Sequence, residues 1–275
     1  MKPVNFDYTR PRDVADAVKL VGDESASVKI MAGSQSLGPM LNMRLVQPDL
    51  VVDITGVEEL GGFEERADEL ALGACITHAD IEDLRAPDVT RGALPAVARN
   101  IAYRAVRSRG TIGGSLTHAD PSADWISMFA AIGARVTLRG PAGDRTIPVE
   151  DYMLGALEAD IRPGEVLVSV RVPKLSAAAR WGYFKICRKT GEFAHAIGAY
   201  VVDPERGVTR AVIGATEQRP FVMADARELI GDGAPGAFDA AAVDRFAERN
   251  GMHDPLERRT HVAALRRAVE RTSLQ

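Results

Sequence analysis

The 275-residue sequence contains only two cysteines, Cys75 and Cys187. Two distant thiols cannot build a disulfide framework, a four-thiolate zinc site or an iron–sulfur cluster. The sequence also has no His-Glu-x-x-His pattern, and its grouped polar residues His118, Asp120 and Asp124 lack a standard metal-ligand spacing. If the chain takes part in redox chemistry, any redox metal must therefore lie on another chain.

Long apolar runs and an excess of one charge are also absent. The longest apolar stretches, residues 126–136 and 193–202, are shorter than the roughly 20 residues of a membrane-spanning helix. With 34 Lys+Arg against 38 Asp+Glu, the net charge of -4 gives no reason to expect nucleic acid or an anionic membrane as partner. No secretory signal opens the sequence, so we expect a cytoplasmic protein.

The composition, with 46% hydrophobic residues and 25 glycines, is that of a folded globular protein. The length favours two domains, and the mixture of helical and strand patterns predicts an α+β fold. We place the larger domain at 1–175, with parts at about 1–56 and 57–175, and a smaller domain at 176–275. The smaller domain is expected to hold a three-stranded antiparallel sheet followed by helices, the last of which, at 258–271, is mainly a solvated face.

A first candidate ligand loop follows a predicted strand and precedes a helical stretch at 40–45. Its residues are Ile30, Met31, Ala32, Gly33, Ser34, Gln35, Ser36 and Leu37. A tight turn of small residues exposes successive backbone N–H groups, which together with hydroxyls can hold a pyrophosphate. An ordinary strand-to-helix turn remains the alternative, because the loop matches neither the P-loop nor the dinucleotide fingerprint.

A second candidate is a predicted turn at 110–115. The adjacent glycines Gly113 and Gly114 would allow positive φ and close approach to a ligand, with hydroxyls from Thr111, Ser115 and Thr117 nearby. Asp124, in the first turn of a following helix at 122–132, could accept hydrogen bonds from a ribose diol. The alternative is a capped helix start, where acidic residues are favoured anyway.

A third candidate is the segment 185–195, in which a basic cluster precedes a Thr-Gly turn. It would present Lys185 as a fixed charge and Phe193 as a stacking surface. A plain hairpin with a buried Phe193 is the alternative. The literal G-x-G-x-x-G match at 231–236 follows a helical segment and contains Pro235, so we interpret it as a loop.

In order and spacing, these segments resemble the FAD-binding subunit of the molybdenum hydroxylases, with its PCMH-type FAD-binding domain. The resemblance covers essentially the whole chain. The matching segments are 6–8 with Pro11, 32–45, 48–54, 111–115, 118–121 with Asp124, 163–165 and 184–193.

The resemblance implies a set of residues that bind FAD non-covalently. The two loops, 32–36 and 111–115, would hold the pyrophosphate, and Asp124 the ribose. Lys185 would lie close to the flavin and Phe193 would stack on it, while Ile101, His118 and the main chain of Leu167 would add contacts. Ser115 stands where relatives often have Asn, and Phe193 where they often have Tyr or Trp.

The resemblance also implies the function. The chain would be an electron-transfer subunit that passes electrons from iron–sulfur clusters to an external acceptor, which could be NAD, a quinone, a cytochrome or oxygen. A large partner would carry the molybdenum cofactor and a small one the [2Fe-2S] clusters, in a heterotrimer or its dimer. Two other hypotheses stay open: a stand-alone FAD-dependent oxidoreductase, and a nucleotide-binding interaction module.

Overall fold

The computed structural model of the chain describes residues 2–231 and 237–272. The fold is α+β, as the sequence predicts, and its sheets follow one another along the chain. No helix within the described residues is long and apolar enough to cross a membrane. Of the 231–236 motif only Gly231 is described, at the end of a helix, and the rest of that predicted loop lies outside the described residues.

The first part of the chain forms a three-stranded parallel sheet. Its elements are β1 (Asp7–Thr9), α1 (Val14–Val21), β2 (Val28–Met31), α2 (Leu37–Asn42) and β3 (Leu50–Asp53). The strand order is β1-β3-β2, so the carboxyl ends of all three strands meet at one edge. Helix α2 begins three residues before the predicted stretch, because Pro39 lies in its first turn, where a missing N–H is tolerated. This early start shortens the connection between β2 and α2.

The middle of the chain is built on a five-stranded antiparallel sheet of order β4-β5-β10-β6-β7 and a two-stranded β8-β9 ladder. Its elements are α3 (Glu58–Gly61), β4 (Phe63–Glu65), β5 (Glu69–Gly73), α4 (His78–Glu82), α5 (Ala93–Arg99), α6 (Arg104–Arg107), α7 (Ile112–His118), α8 (Asp124–Ile132), β6 (Arg135–Gly140), β7 (Gly143–Pro148), α9 (Val149–Tyr152), β8 (Met153–Gly155), β9 (Glu158–Ala159) and β10 (Val166–Pro173). The predicted turn at 110–115 is wrong, since α7 begins at Ile112.

The last part of the chain forms an antiparallel sheet of order β11-β12-β13-β14. Its elements are β11 (Arg180–Ile186), β12 (Ala196–Asp203), β13 (Val208–Gly214), β14 (Phe221–Met223), α10 (Arg227–Ile230), α11 (Ala240–Arg249) and α12 (Pro255–Arg271). The predicted three strands are present, but the described sheet has a fourth, β14, which pairs with β13. A strand of three residues is too short to show an alternating pattern in the sequence.

Helices pack on both faces of this last sheet. Every residue of α8 is buried, because this helix contacts the five-stranded sheet on one side and β12 and β13 on the other. Helix α12 covers the opposite face through buried residues such as Leu265 and Ala268, so the prediction that it is mainly a solvated face is wrong. The glycines Gly182 and Gly198 let it approach, since a Cβ on Gly182 would lie 1.7 Å from the Ala268 carbonyl oxygen. The domain boundary near residue 175 stays a prediction.

Candidate functional site

The loop between β2 and α2 exposes a run of backbone N–H groups. Within the described residues, the amides of Gly33, Ser34, Gln35 and Ser36 donate to no acceptor on the chain. Gly33 is buried, and Ser34 has a φ of 59°, so the amides turn through a left-handed step. Buried backbone N–H groups in proteins are nearly always paired, and successive free amides form an anion-binding concavity. This loop therefore fits a phosphate group.

The start of α7, in contrast, uses its first amides within the chain. The N–H of Ile112 donates to Ile76 O at 3.0 Å, and that of Gly113 donates to Ala74 O at 2.9 Å. The Thr111 hydroxyl accepts from the N–H of Gly114 at 3.0 Å and so caps the helix. The Thr117 hydroxyl, predicted to be near a ligand, is instead hydrogen-bonded to Tyr152 at 2.9 Å.

The glycine pair in α7 has a different purpose from the predicted one. Gly113 and Gly114 are helical and neither has a positive φ. A Cβ on Gly113 would lie 2.5 Å from the Ala74 Cβ and 2.7 Å from its carbonyl oxygen. Gly113 therefore allows α7 to pack against the end of β5. The close approach that the sequence predicts for a ligand is made instead by the backbone at Ala74.

The two candidate loops are in direct contact. A Cβ on Gly33 would lie 2.0 Å from Arg109 O and 2.7 Å from the Cα of Gly110. A Cβ on Gly114 would lie 3.7 Å from the Cβ of Ala32. The segments 32–36 and 110–114 thus form one site rather than two, as the resemblance implies, although only the first contributes a run of free amides.

His78 lies directly beneath the second loop. Its amide donates to Gly110 O at 2.9 Å, and its Nδ1 accepts from the indole N–H of Trp125 at 2.9 Å. Burial, aided by the positive charge of Arg107, lowers the pKa of His78 to about 4, so the ring is neutral at neutral pH. Nothing in the sequence marks this histidine, since Trp125 is distant from it along the chain.

Asp124 and Lys185, both predicted site residues, form a buried ion pair. The Lys185 Nζ lies 2.9 Å from one carboxylate oxygen of Asp124 and donates to Asn100 O at 2.9 Å. The Tyr183 hydroxyl donates to the same carboxylate at 2.6 Å. Burial raises the pKa of Asp124, while the charge of Lys185 opposes this shift.

Sequence reasoning missed Tyr183. Side chains two residues apart on a strand share a face, so the period of β11 could have placed Tyr183 beside Lys185. Burial and the neighbouring Asp124 carboxylate raise the pKa of Tyr183 well above its ordinary value. Its hydroxyl therefore stays protonated and donates to Asp124.

Phe193 is 74% exposed, so the alternative of a buried Phe193 in a plain hairpin is wrong. Its ring lines an open cavity of about 580 Å³. Tyr103, Arg188, Glu192 and His195 line the same cavity, and Tyr103 is also exposed. An exposed aromatic ring beside a cavity is suited to stacking on a planar ligand.

The remaining predicted residues lie around these groups. Ile101 is half-buried against the core and precedes Tyr103. The Leu167 side chain is buried in β10, which leaves only its main chain for a ligand. The hydroxyl of Ser115 and the imidazole of His118 are half-buried at α7 and have no hydrogen-bond partner within the described residues. Whether these residues bind FAD stays a prediction.

Known proteins resemble this chain over most of its length. Residues 4–175 match the family described as the FAD binding domain in molybdopterin dehydrogenase. The carbon monoxide dehydrogenase medium chain of Hydrogenophaga pseudoflava is 36% identical over 212 residues, which cover 76% of this chain and 72% of that one. The 6-hydroxypseudooxynicotine dehydrogenase complex subunit alpha of Paenarthrobacter nicotinovorans is 33% identical, over 99% of this chain and 94% of that one.

A solved structure of carbon monoxide dehydrogenase from Hydrogenophaga pseudoflava superposes with a TM-score of 0.86 at 30% identity, covering 100% of this chain and 99% of that chain. The chain belongs to the family of FAD-binding domains of molybdopterin dehydrogenases. The predicted FAD cofactor and the predicted role as the FAD subunit of a molybdenum hydroxylase are thereby confirmed.

Proposed function

We propose that the FAD pyrophosphate binds the first loop where this loop packs against the second, and that the cofactor reaches along Asp124 and Lys185 to the cavity at Phe193. The observation that carries this placement is the run of unpaired amides at Gly33–Ser36, pressed against Gly110. A pyrophosphate would satisfy these amides and the free hydroxyls of the loop. This assigns the negatively charged part of FAD to an uncharged, preformed backbone surface.

Asp124 and Lys185 would orient the sugar and the ring. The Asp124 carboxylate accepts from Tyr183 and Lys185, and an ionised carboxylate retains further lone pairs for a ribose hydroxyl. Lys185 compensates the buried charge and is itself anchored on Asn100 O, so its ammonium group is fixed.

Bound FAD would supply the ability to accept electrons singly and release them in pairs. The chain's own residues bind the cofactor, hold its ring at a cavity that is open to an acceptor, and keep the carboxylate at Asp124 in place. With two cysteines the chain cannot hold the clusters that deliver single electrons. Electrons would therefore arrive from a partner.

The partners we propose are a large chain with the molybdenum cofactor and a small chain with [2Fe-2S] clusters, assembled as a heterotrimer or its dimer in the cytoplasm. Support comes from the relatives, which are named as medium chains or subunits of complexes, and from their coverage of nearly the whole chain. Purification of the chain from its native cells, followed by identification of the co-purified chains and metal analysis, tests this assembly. Recovery of the chain without molybdenum or iron would contradict it.

The cofactor site is tested by titrating the full chain with FAD and with ADP. We expect stoichiometric flavin absorbance and tighter binding of FAD than of ADP. Lys185→Met should weaken FAD binding, whereas Lys174→Met should not, because Lys174 forms only a surface pair with Glu65. Equal stabilisation by ADP and FAD would instead favour a nucleotide-binding module, and substrate turnover by the chain alone would favour a stand-alone oxidoreductase.

A further inference from the structure

The turn that precedes α6 is held by two cations. The Lys185 Nζ lies 2.9 Å from Asn100 O. The next two carbonyls, of Ile101 and Ala102, accept from one guanidinium nitrogen of Arg107 at 2.9 and 3.2 Å. Three successive carbonyl groups therefore point at positive charges, which fixes the path of the backbone from Asn100 to Ala102.

Arg107 is itself fixed by Glu82. Its Nε and its other terminal nitrogen donate to the two carboxylate oxygens of Glu82 at 2.7 and 3.1 Å. Arg107 is only 8% exposed. This bidentate pair neutralises a buried charge and sets the plane of the guanidinium, so its remaining nitrogen is aimed at the turn.

The turn needs such support because its backbone is strained. Ala102 has a φ of 41°, in the left-handed region that non-glycine residues rarely occupy. Tyr103 follows directly and begins α6 as its N-cap residue, with its ring 64% exposed. The conformation of Ala102 thus decides the direction in which the Tyr103 side chain leaves the backbone.

The connection between β11 and β12 packs against this turn. A Cβ on Gly191 would lie 3.0 Å from Ala102 O and 3.3 Å from the Tyr103 ring. Gly191, at a φ of 88°, therefore brings the segment that carries Phe193 against Tyr103. Both rings line the cavity of about 580 Å³, and neither is covered by the protein core.

We propose that Tyr103 is a second aromatic wall of the site for the isoalloxazine ring, opposite or beside Phe193, and that Arg107 is the positioning residue that holds Tyr103 there. This inference rests on the proposed FAD site and adds two residues that the sequence patterns did not indicate. Exposed rings that line one cavity suit a planar aromatic ligand, because stacking buries both ring faces. The pair Arg107–Glu82 acts through the backbone and touches no cofactor atom.

The first test uses the FAD-loaded full chain with Tyr103→Ala and Tyr103→Phe. We expect Tyr103→Ala to raise the flavin fluorescence, since contact with tyrosine quenches an excited flavin, and to weaken FAD binding about fivefold. Tyr103→Phe should keep the affinity. The control Phe63→Ala removes another exposed ring, on β4, and should change neither quantity. Fluorescence and affinity in Tyr103→Ala equal to those of Phe63→Ala would overturn the proposal.

The second test addresses Arg107. Arg107→Lys keeps a cation beside Glu82 but cannot bind both of its oxygens and the turn together, so we expect the same rise in flavin fluorescence as for Tyr103→Ala. In the double variant, Arg107→Lys should not raise the fluorescence beyond that of Tyr103→Ala alone, because both substitutions act through the Tyr103 ring. Arg104→Gln is the control, since Arg104 also pairs with Glu82 but not with the turn.

The two proposals fail in different ways. If the wild-type chain does not bind FAD, the proposed site is wrong. If the wild-type chain binds FAD but Arg107→Lys alters only the melting temperature and leaves the flavin spectrum unchanged, Arg107 is merely structural and this inference is wrong. The Tyr103 variants lie at the surface, so they remain informative even where Arg107→Lys folds poorly.

Discussion

The two loops that meet at the site differ in what their backbone amides do. In the first, Gly33–Ser36, four successive N–H groups have no acceptor within the described residues. In the second, the N–H groups of Ile112, Gly113 and Gly114 donate to Ile76, Ala74 and the Thr111 hydroxyl. Both are glycine-containing and both adjoin a helix, yet only the first leaves a run of amides without an acceptor on the described chain.

This difference shows that glycine alone does not identify a phosphate loop. Gly33 and Gly113 both lack room for a Cβ, because each lies against backbone atoms of the chain. The first glycine joins the two loops, while the second joins α7 to β5. The second loop therefore supports the first one and is supported in turn by His78. The following experiments test the supporting role of His78 first, and then separate support from binding at the two loops.

The largest effect should come from acid, through His78 beneath the second loop. Its pKa falls from 6.5 when unfolded to about 4 in the fold, so the unfolded chain binds more protons between these values. The free energy of unfolding that is linked to His78 should be fully present above pH 6.5. It should fall as the pH drops toward 4, by up to about 1.4 kcal/mol per pH unit. Urea unfolding at several pH values measures this slope.

His78→Asn is the variant that isolates this slope. Asparagine keeps an acceptor for the Trp125 indole N–H but does not titrate, so the loss of stability between pH 6.5 and 5 should shrink. His253→Asn, at an exposed histidine, should keep the wild-type slope. An unchanged slope in His78→Asn would show that other groups cause the acid sensitivity.

The sequence predicts features that depend on nearby residues in the chain better than features that depend on tertiary contacts. Helix α1 with its Asp13 cap, and the three main strands of the last sheet, depend on local periodicity and capping, which the sequence shows directly. Helix α7 is missed, since two glycines disfavour a helix and only the contact with Ala74 and the Thr111 cap compensate.

The candidate site follows the same rule. Local patterns and the family resemblance each indicate Asp124 and Lys185 as site residues, but only the structure shows that their charges pair, 2.9 Å apart. Arg107 and Tyr103 were not reached, because their roles depend on the carbonyls of the turn and on Gly191, which no local pattern shows. Residues that act through tertiary contacts can be identified only from the structure.

The next largest effect should distinguish Gly33 from Gly113. Gly33→Ala and Gly113→Ala each force a Cβ against backbone atoms and should each lower the free energy of unfolding by about 1–3 kcal/mol. Gly33→Ala should also weaken FAD binding by about tenfold or more, because it displaces the free amides. Gly113→Ala should weaken it much less, as measured by FAD titration at a temperature where both variants are folded.

Gly61→Ala is the matched control for these variants, since a Cβ there meets nothing within 4 Å. It should leave both stability and FAD affinity close to those of the wild type. If Gly113→Ala weakened FAD binding as strongly as Gly33→Ala, α7 would be part of the binding surface, and the distinction between the two loops would be wrong.

The smallest effect compares two hydroxyls, Thr111 and Ser36, which both lie at helix starts. Thr111 caps α7, so Thr111→Ala should lower the unfolding free energy by about 1 kcal/mol with little change in FAD affinity. The Ser36 hydroxyl makes no capping bond, so Ser36→Ala should leave stability unchanged but weaken FAD binding about fivefold, the loss of one hydrogen bond. Thermal unfolding of the free chain and FAD titration measure the two quantities separately. If Thr111→Ala weakened FAD binding and Ser36→Ala did not, the cofactor would contact the start of α7 rather than the first loop.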